Sequence, residues 1–460
     1  MLEAEIIPHR QYLLAHTAGQ KLFLALKVRP TASAATARPQ LAVVFVVDTS
    51  GSMREVVTEP TERTGRFHEV DGKRYEIVSG GQTKIDLVIA ALQGLLTAET
   101  LRPDDRLALV KFDDRAEVLV PFTPVRKADR LRSAIDQLRQ YSGGTQMGAG
   151  MREGLRLLEQ ESGSRRMVVL TDGQTFDEDL VRQVTGILAE RRIPVTAIGV
   201  GDDWNENLLT EVTDRTQGKP FHVVPDHQNP QPPSVRVTEL PLVIARELAQ
   251  AANEVVTDIA LTVRMVAGVS LRRVTRVYPT VSDVDLMLQP HPLGNAAAGD
   301  WTVFLLEFDL PSRPPVRVRL AQLGLTYRVP GANYTGELPP LDVIVEFTQN
   351  EALAAQTNGE VMAWVQQRNL EALIREAAMQ AQRDPGQAQK TLELARAMTV
   401  RLGNQAMTQA LDRALQELGT RKTISPGTAK TLRVGAKTQT MRLGEGGRLT
   451  DEEIRRITGA

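Results

Sequence analysis

Cysteine is absent from this 460-residue chain. That excludes a disulfide framework, thiolate metal sites and cysteine nucleophiles. It fits a reducing compartment and is compatible with an oxidising one. A surplus of one charge sign is missing too, since 55 Lys and Arg stand against 56 Asp and Glu. With no global field to recruit nucleic acid or anionic lipid, neither is expected as a partner. No apolar run approaches the ~18 residues that a membrane span requires, so no membrane association is expected. The opening Met1-Leu2-Glu3-Ala4-Glu5 lacks a basic stretch leading into an apolar one. A signal peptide is therefore not expected, and cytoplasmic is the default location. Gly-x-Ser-x-Gly and the phosphate-binding Gly-x-x-x-x-Gly-Lys-[Ser/Thr] are both missing, which supports neither a hydrolase elbow nor a nucleotide loop. The six histidines show no His-x-x-x-His or comparable ligand spacing.

What remains is ordinary globular composition, 42% apolar and 24% charged, long enough for about two to four domains. Residues 1–30 read as short strands, the best being Lys21 to Val28, followed by an Ala, Thr and Pro linker from Thr31 to Pro39. Strand and helix patterns then alternate over 40–225. Leu41 to Val47 is a continuous apolar run, as for a parallel strand buried on both faces. Ile85, Val88, Ile89, Leu92, Leu95 and Leu96 share a helical stripe, with Thr83 as a candidate N-cap. Such alternation implies a doubly wound parallel sheet covered by helices. Residues 54–82 interrupt it and read as an inserted hairpin around Asp71-Gly72.

Past a Pro-rich linker, residues 238–348 read as a helix followed by short strands, the strands including Val284 to Leu288. Strands as short as those of 1–30 are unstable alone. They are expected to complete this later β-sandwich, with the α/β domain inserted between. Residues 350–418 read as a three-helix bundle. Residues 420–460 read as a flexible Thr- and Lys-rich tail ending in a short helix, opened by a capping box at Thr450 to Glu453. The expected fold class is thus α/β, a doubly wound sheet inserted into a β-sandwich, followed by a small bundle and a tail.

The chemistry concentrates at strand ends. Val47-Asp48-Thr49-Ser50-Gly51-Ser52 closes the first buried strand, at the edge where open parallel sheets bind ligands. A carboxylate followed by alternate hydroxyls points oxygens at one centre, and all-oxygen ligation selects hard ions such as Mg²⁺, or Mn²⁺. By itself the pattern is weak, because roughly one chain in ten carries Asp-x-Ser-x-Ser by chance. Two more motifs join it on the same expected edge. Tyr141-Ser142-Gly143-Gly144-Thr145 is a glycine-rich loop entering a helix, and Met167 to Leu170 is a buried strand ending at Thr171-Asp172-Gly173.

In this order, the three motifs resemble the metal-ion-dependent adhesion site of von Willebrand factor type A domains. The resemblance covers residues 40–225 and extends to soluble prokaryotic members of the superfamily. It implies that Ser50 and Ser52 ligate Mg²⁺ directly and that Thr145 does so directly or through water. Asp48 and Asp172 would act mainly through waters, leaving one position for a carboxylate from a partner protein. It further implies a non-enzymatic signalling or assembly role, with a MoxR-type AAA+ ATPase or a Ser/Thr kinase and phosphothreonine-binding protein as candidate associates. A structural scaffold stabilised by its metal is the alternative. A haloacid dehalogenase-type phosphatase would carry Asp-x-Asp at the first turn, where this chain has Ser50.

Other features admit plainer readings. Asp202-Asp203-Trp204 lies on the same edge but suits a cap for the next helix, and Asp113-Asp114 suits a hairpin turn. Trp364 reads as bundle core and Trp301 as sandwich core. Thr438 and Thr440, in a basic segment with hydroxyls upstream, are candidate phosphorylation sites.

Overall fold

The computed structural model describes residues 1–35, 38–58, 60–70, 73–97, 101–225 and 233–441. The α/β unit is built on Leu41–Asp48, an interior strand of a seven-stranded sheet. Arg106–Phe112 lies parallel on one side of it, and Ala116–Pro124 closes that edge antiparallel. Ser164–Thr171, Val195–Val200, Lys219–Val224 and Val235–Arg236 follow in parallel on the other side. Successive side chains of a strand point to opposite faces. Leu41, Val43, Phe45 and Val47 accordingly enter one core with helices Lys84–Leu95, Ala128–Gln137 and Leu240–Ala252. Ala42, Val44 and Val46 enter the other with Met147–Leu158, Glu178–Glu190 and Glu206–Arg215. The apolar run is continuous because both faces are buried. Helix Leu240–Ala252, which reads as a connector to the later strands, covers this sheet through Ile244, Leu248 and Ala251.

Two further sheets pack face to face. One pairs Leu2–Pro8 and Gln20–Pro30 with Thr302–Leu310, Ser270–Tyr278 and Ser282–Asp283. The other contains His291–Ala297, Glu254–Met265, Val316–Val329, Leu341–Thr348 and Tyr12–Leu14. Leu22, Leu24, Leu26, Phe304, Leu306 and Phe308 point into their shared core. The alternate residues Ala25, Val303 and Leu305 point outward, into a second core roofed by helices Gly359–Gln380, Pro385–Leu402 and Gln405–Arg421. Trp364 is buried there, whereas Trp301 is not in the sandwich core. It is half-buried on the helix-covered outer face, with the Arg29 guanidinium 4.5 Å over its ring.

Two expected segments also differ. Val284 to Leu288 is not a strand; the chain pairs only at Ser282–Asp283 and then at His291–Ala297, whose Pro292 and Gly294 hide its β character in the sequence. Nor is the segment from residue 420 to 441 flexible. Pro426–Thr438 is a helix, with Pro426 at its first position and the Ser425 hydroxyl accepting from Thr428 N. Leu432 and Ala436 enter the bundle core, and Val434 enters the α/β core. The expected turn at Asp71-Gly72 and the terminal helix around residues 450–453 lie outside the described residues.

Candidate metal site and its relatives

The crevice lies where the connections leaving the adjacent strands Leu41–Asp48 and Ser164–Thr171 depart to opposite sides of the sheet. Asp48 closes that strand, fully buried. Its Oδ1 accepts from Ser50 N at 2.8 Å and its Oδ2 from Thr171 Oγ1 at 2.7 Å. The chain then turns through a 3₁₀ segment, Gly51–Arg54, which brings Ser50 Oγ and Ser52 Oγ within 3.1 Å. Ser52 Oγ donates to Asp172 Oδ1 at 2.7 Å, linking the first turn to the end of Ser164–Thr171. Four of the five expected residues therefore form one hydrogen-bonded oxygen cluster.

Thr145 approaches from the facing loop. Gly51 N donates to Gly143 O at 3.1 Å, docking the glycine loop on the serine turn. Thr145 is buried, and its Oγ1 lies 4.0 Å from where a Cβ on Gly173 would stand. Its carbonyl accepts from Phe176 N at 3.0 Å and from Thr175 Oγ1 at 3.1 Å. Phe176 itself is 82% exposed on the rim.

Asp113 and Asp114 do more than turn a hairpin. Buried Asp113 accepts from Lys111 Nζ and from Thr49 Oγ1, inside the first motif. Asp114 Oδ1 accepts from Gly144 N at 2.9 Å, and its carboxylate lies so close that a Cβ on Gly143 would come within 2.6 Å. The paired glycines are thus a requirement of close approach. Asp202 is not the expected helix cap. Asn205 caps Glu206–Arg215 by accepting from Leu208 N, while Asp202 Oδ1 lies 3.1 Å from the buried His222 Nε2. Thr438 donates to Val434 O at the end of its helix, and Thr440 donates to Pro279 O. Both residues are half-buried.

Two residues that the motifs do not reveal belong to the cluster. Lys84, buried at the start of its helix, places Nζ 2.8 Å from Asp172 Oδ2 and 2.6 Å from Glu55 Oε2. Burial alone would lower its ammonium pKa, but Asp172 and Glu55 outweigh that and hold it above the usual lysine range. Asp48 responds in the opposite sense. Burial, reinforced by the neighbouring Asp172 charge, pushes its carboxyl up to about 7. A lysine among apolar helix positions gives no hint of this in the sequence, because its partners lie on other loops.

The residues present suit a hard cation. Buried anionic oxygens in low dielectric need positive charge, and hydroxyl-rich oxygen sets match Mg²⁺ or Mn²⁺. Among the described residues no group of three or more His, Cys, Asp or Glu is placed to hold a metal, so an ion here would depend on the serine and threonine hydroxyls as well as the carboxylates.

An α/β sheet with an oxygen-lined crevice at its switch point defines a class of ligand-binding domain. Residues 42–232 match the von Willebrand factor type A domain family, and the chain contains such a domain. A von Willebrand factor type A protein from Catenulispora acidiphila superposes with TM-score 0.74 at 18% identity, covering 96% of this chain and 97% of that one. The ArnB paralog VWA2 from Sulfolobus acidocaldarius does so with TM-score 0.60 at 12% identity, covering 96% and 99%. An uncharacterized protein of Synechocystis is 24% identical over 275 residues, which span 57% of this chain and 62% of that protein. No helix among the described residues is long and apolar enough to cross a membrane.

Proposed function

We propose that the crevice is a metal-ion-dependent adhesion site and that the protein is a binding module for an acidic segment of another protein. Ser50, Ser52 and Thr145 would hold Mg²⁺, or Mn²⁺, through their hydroxyls, with Asp48 and Asp172 supplying negative charge behind them. The bound ion would supply a fixed positive charge that attracts a partner carboxylate. The observation that carries this reading is the Ser50–Ser52–Asp172 oxygen cluster at the switch point of the sheet. Domains of this family are typically protein-interaction modules, which agrees with it.

Phe176 refines the partner. A large aromatic left mostly in water beside Thr145 is the kind of residue that anchors protein interfaces. The favoured ligand is therefore a carboxylate with an apolar side chain next to it.

Screening a displayed peptide library against the full chain tests this. Mg²⁺ should retain sequences with Asp or Glu beside an apolar residue, and EDTA or D48A/S50A should release them. Equal retention in EDTA would overturn the reading. A metal that raises the melting temperature without supporting any peptide capture would indicate a structural scaffold instead.

A further inference from the structure

Lys84 is an unfavourable residue at its position on two counts. As the first residue of Lys84–Leu95 it puts positive charge at the positive end of the helix dipole. It is also only 5% exposed, and an ammonium is buried at high cost unless it is paired. Its pairing is with the metal site itself. Asp172 divides its two oxygens, Oδ1 facing Ser52 Oγ at 2.7 Å and Oδ2 facing Lys84 Nζ at 2.8 Å.

The neighbouring loop and the foot of the hairpin lie against this lysine. Gly201, at the end of Val195–Val200, has φ +76°, and a Cβ there would stand 3.7 Å from Lys84 Nζ. Glu55 and Lys84 also form the base of the inserted hairpin. Lys84 N donates to Glu55 O at 3.0 Å, Val57 N donates to Gln82 O at 2.9 Å, and Val56 bridges Thr83. The cation is held between Glu55 and Asp172 and pointed at one oxygen of a metal-site carboxylate.

We propose that Lys84 is a tethered counter-cation that competes with the divalent ion for the charge of Asp172, and so sets how tightly this site holds metal. This rests on the metal-site reading above and adds a residue that opposes metal binding. The charges explain the contest. Asp48, Asp172 and Glu55 provide at most three negative charges, and Lys84 already neutralises one of them. A divalent ion entering the oxygen cluster meets a like charge bound to the same carboxylate. Glu55 moderates this competition, since it draws the ammonium away from Asp172 by offering a second acceptor at 2.6 Å.

The test is titration of the metal-free full chain with MgCl₂ by calorimetry and with MnCl₂ by electron paramagnetic resonance. Replacing Lys84 by Met should tighten metal binding about tenfold or more, because a like charge within a few ångströms is removed. K84R keeps the charge and should stay within about threefold of the native affinity. E55Q leaves the ammonium to Asp172 alone and should weaken binding several-fold. A purely structural lysine would lower the melting temperature of K84M without changing its metal affinity.

Unchanged affinity in both K84M and E55Q overturns the inference and leaves the metal site standing. If K84M does not fold without metal, E55Q decides alone, and unchanged affinity again overturns the proposal. Absence of Mg²⁺ and Mn²⁺ binding in native protein and variants overturns both readings. Tight metal binding by K84M, alongside peptide capture indifferent to EDTA, supports the inference and overturns the adhesion function.

Discussion

Arg166 and Glu254 meet at 2.6 Å across the junction between the α/β unit and the sandwich. The same guanidinium reaches Glu247 at 2.9 Å on the helix that covers the sheet. Arg166 and Glu247 are both almost fully buried, so neither charge has water to fall back on. One planar fork thus binds a strand of the sheet, the helix Leu240–Ala252 and the first strand beyond it.

Removing the fork should therefore expose a cost that surface pairs do not have. Arg166→Met is expected to destabilise the protein by about 3 kcal/mol, because it takes the guanidinium from buried Glu247 and leaves it only Lys219 Nζ at 3.4 Å and Thr196 Oγ1 at 3.0 Å. Urea denaturation measures this. The double change Arg166→Met/Glu247→Met should recover part of the loss by removing a buried carboxylate that Lys219 and Thr196 only partly compensate.

Gly199 lies inside the buried strand Val195–Val200 because the Trp204 ring occupies the place of a side chain. A Cβ there would come within 2.2 Å of the ring, whose Nε1 donates to Gly201 O at 2.8 Å. Gly199→Ala should cost about 3 kcal/mol through overpacking. It should also red-shift tryptophan emission as the ring is pushed out, which fluorescence records directly.

Acid should weaken the sandwich edge through His9. Burial, then the nearby Arg10 charge, lowers its pKa to about 4 from 6.5, and Nδ1 accepts from Phe23 N at 3.0 Å. The folded state thus binds fewer protons than the unfolded chain below pH 6.5. The contribution is complete above that pH and is lost as pH falls toward 4, amounting to about 3 kcal/mol at most. A pH series of denaturation midpoints for the native protein minus His9→Gln should show that slope; a flat difference counts against it.

The C-terminal helix should behave as part of the core. Leu432→Ala is expected to cost about 2–5 kcal/mol through the cavity it leaves among the bundle helices. Lys437→Met should also destabilise, since the lysine pairs with Asp214 at 2.5 Å. Melting temperatures unchanged from the native protein would mean that the segment does not dock.

Metal should stabilise the folded chain by linkage. At a free Mg²⁺ concentration about a hundred times its dissociation constant, stability should rise by about 2.7 kcal/mol. Ser52→Ala, which removes the hydroxyl shared between Ser50 and Asp172, should reduce that increment, read as a smaller shift in melting temperature with added Mg²⁺.

Local pattern carried much of the α/β unit. Leu41 to Val47 had to be buried on both faces because seven consecutive apolar residues leave no face for water. Asp48 therefore had to end a central strand, and the order of its motif, the Gly143-Gly144-Thr145 loop and Asp172 marked the type of domain. The pairing of Gln20–Pro30 with Thr302–Leu310 was not written locally, because strand periodicity specifies a face and not a partner. Composition misled at Pro426–Thr438. That helix has few large apolar residues, and its Lys430, Arg433 and Lys437 find acceptors on the α/β unit that only the folded chain brings near.

Lys84 and Glu55 mark the same boundary at the site itself. Sequence determined where the oxygens of Asp48, Ser50, Ser52 and Asp172 would gather, since each sits at the end of a strand whose direction its own residues dictate. Tertiary structure alone decided that a lysine from the foot of the hairpin would reach them. A buried charge is tolerated only beside its counter-charge, and here the two lie 88 residues apart in the chain.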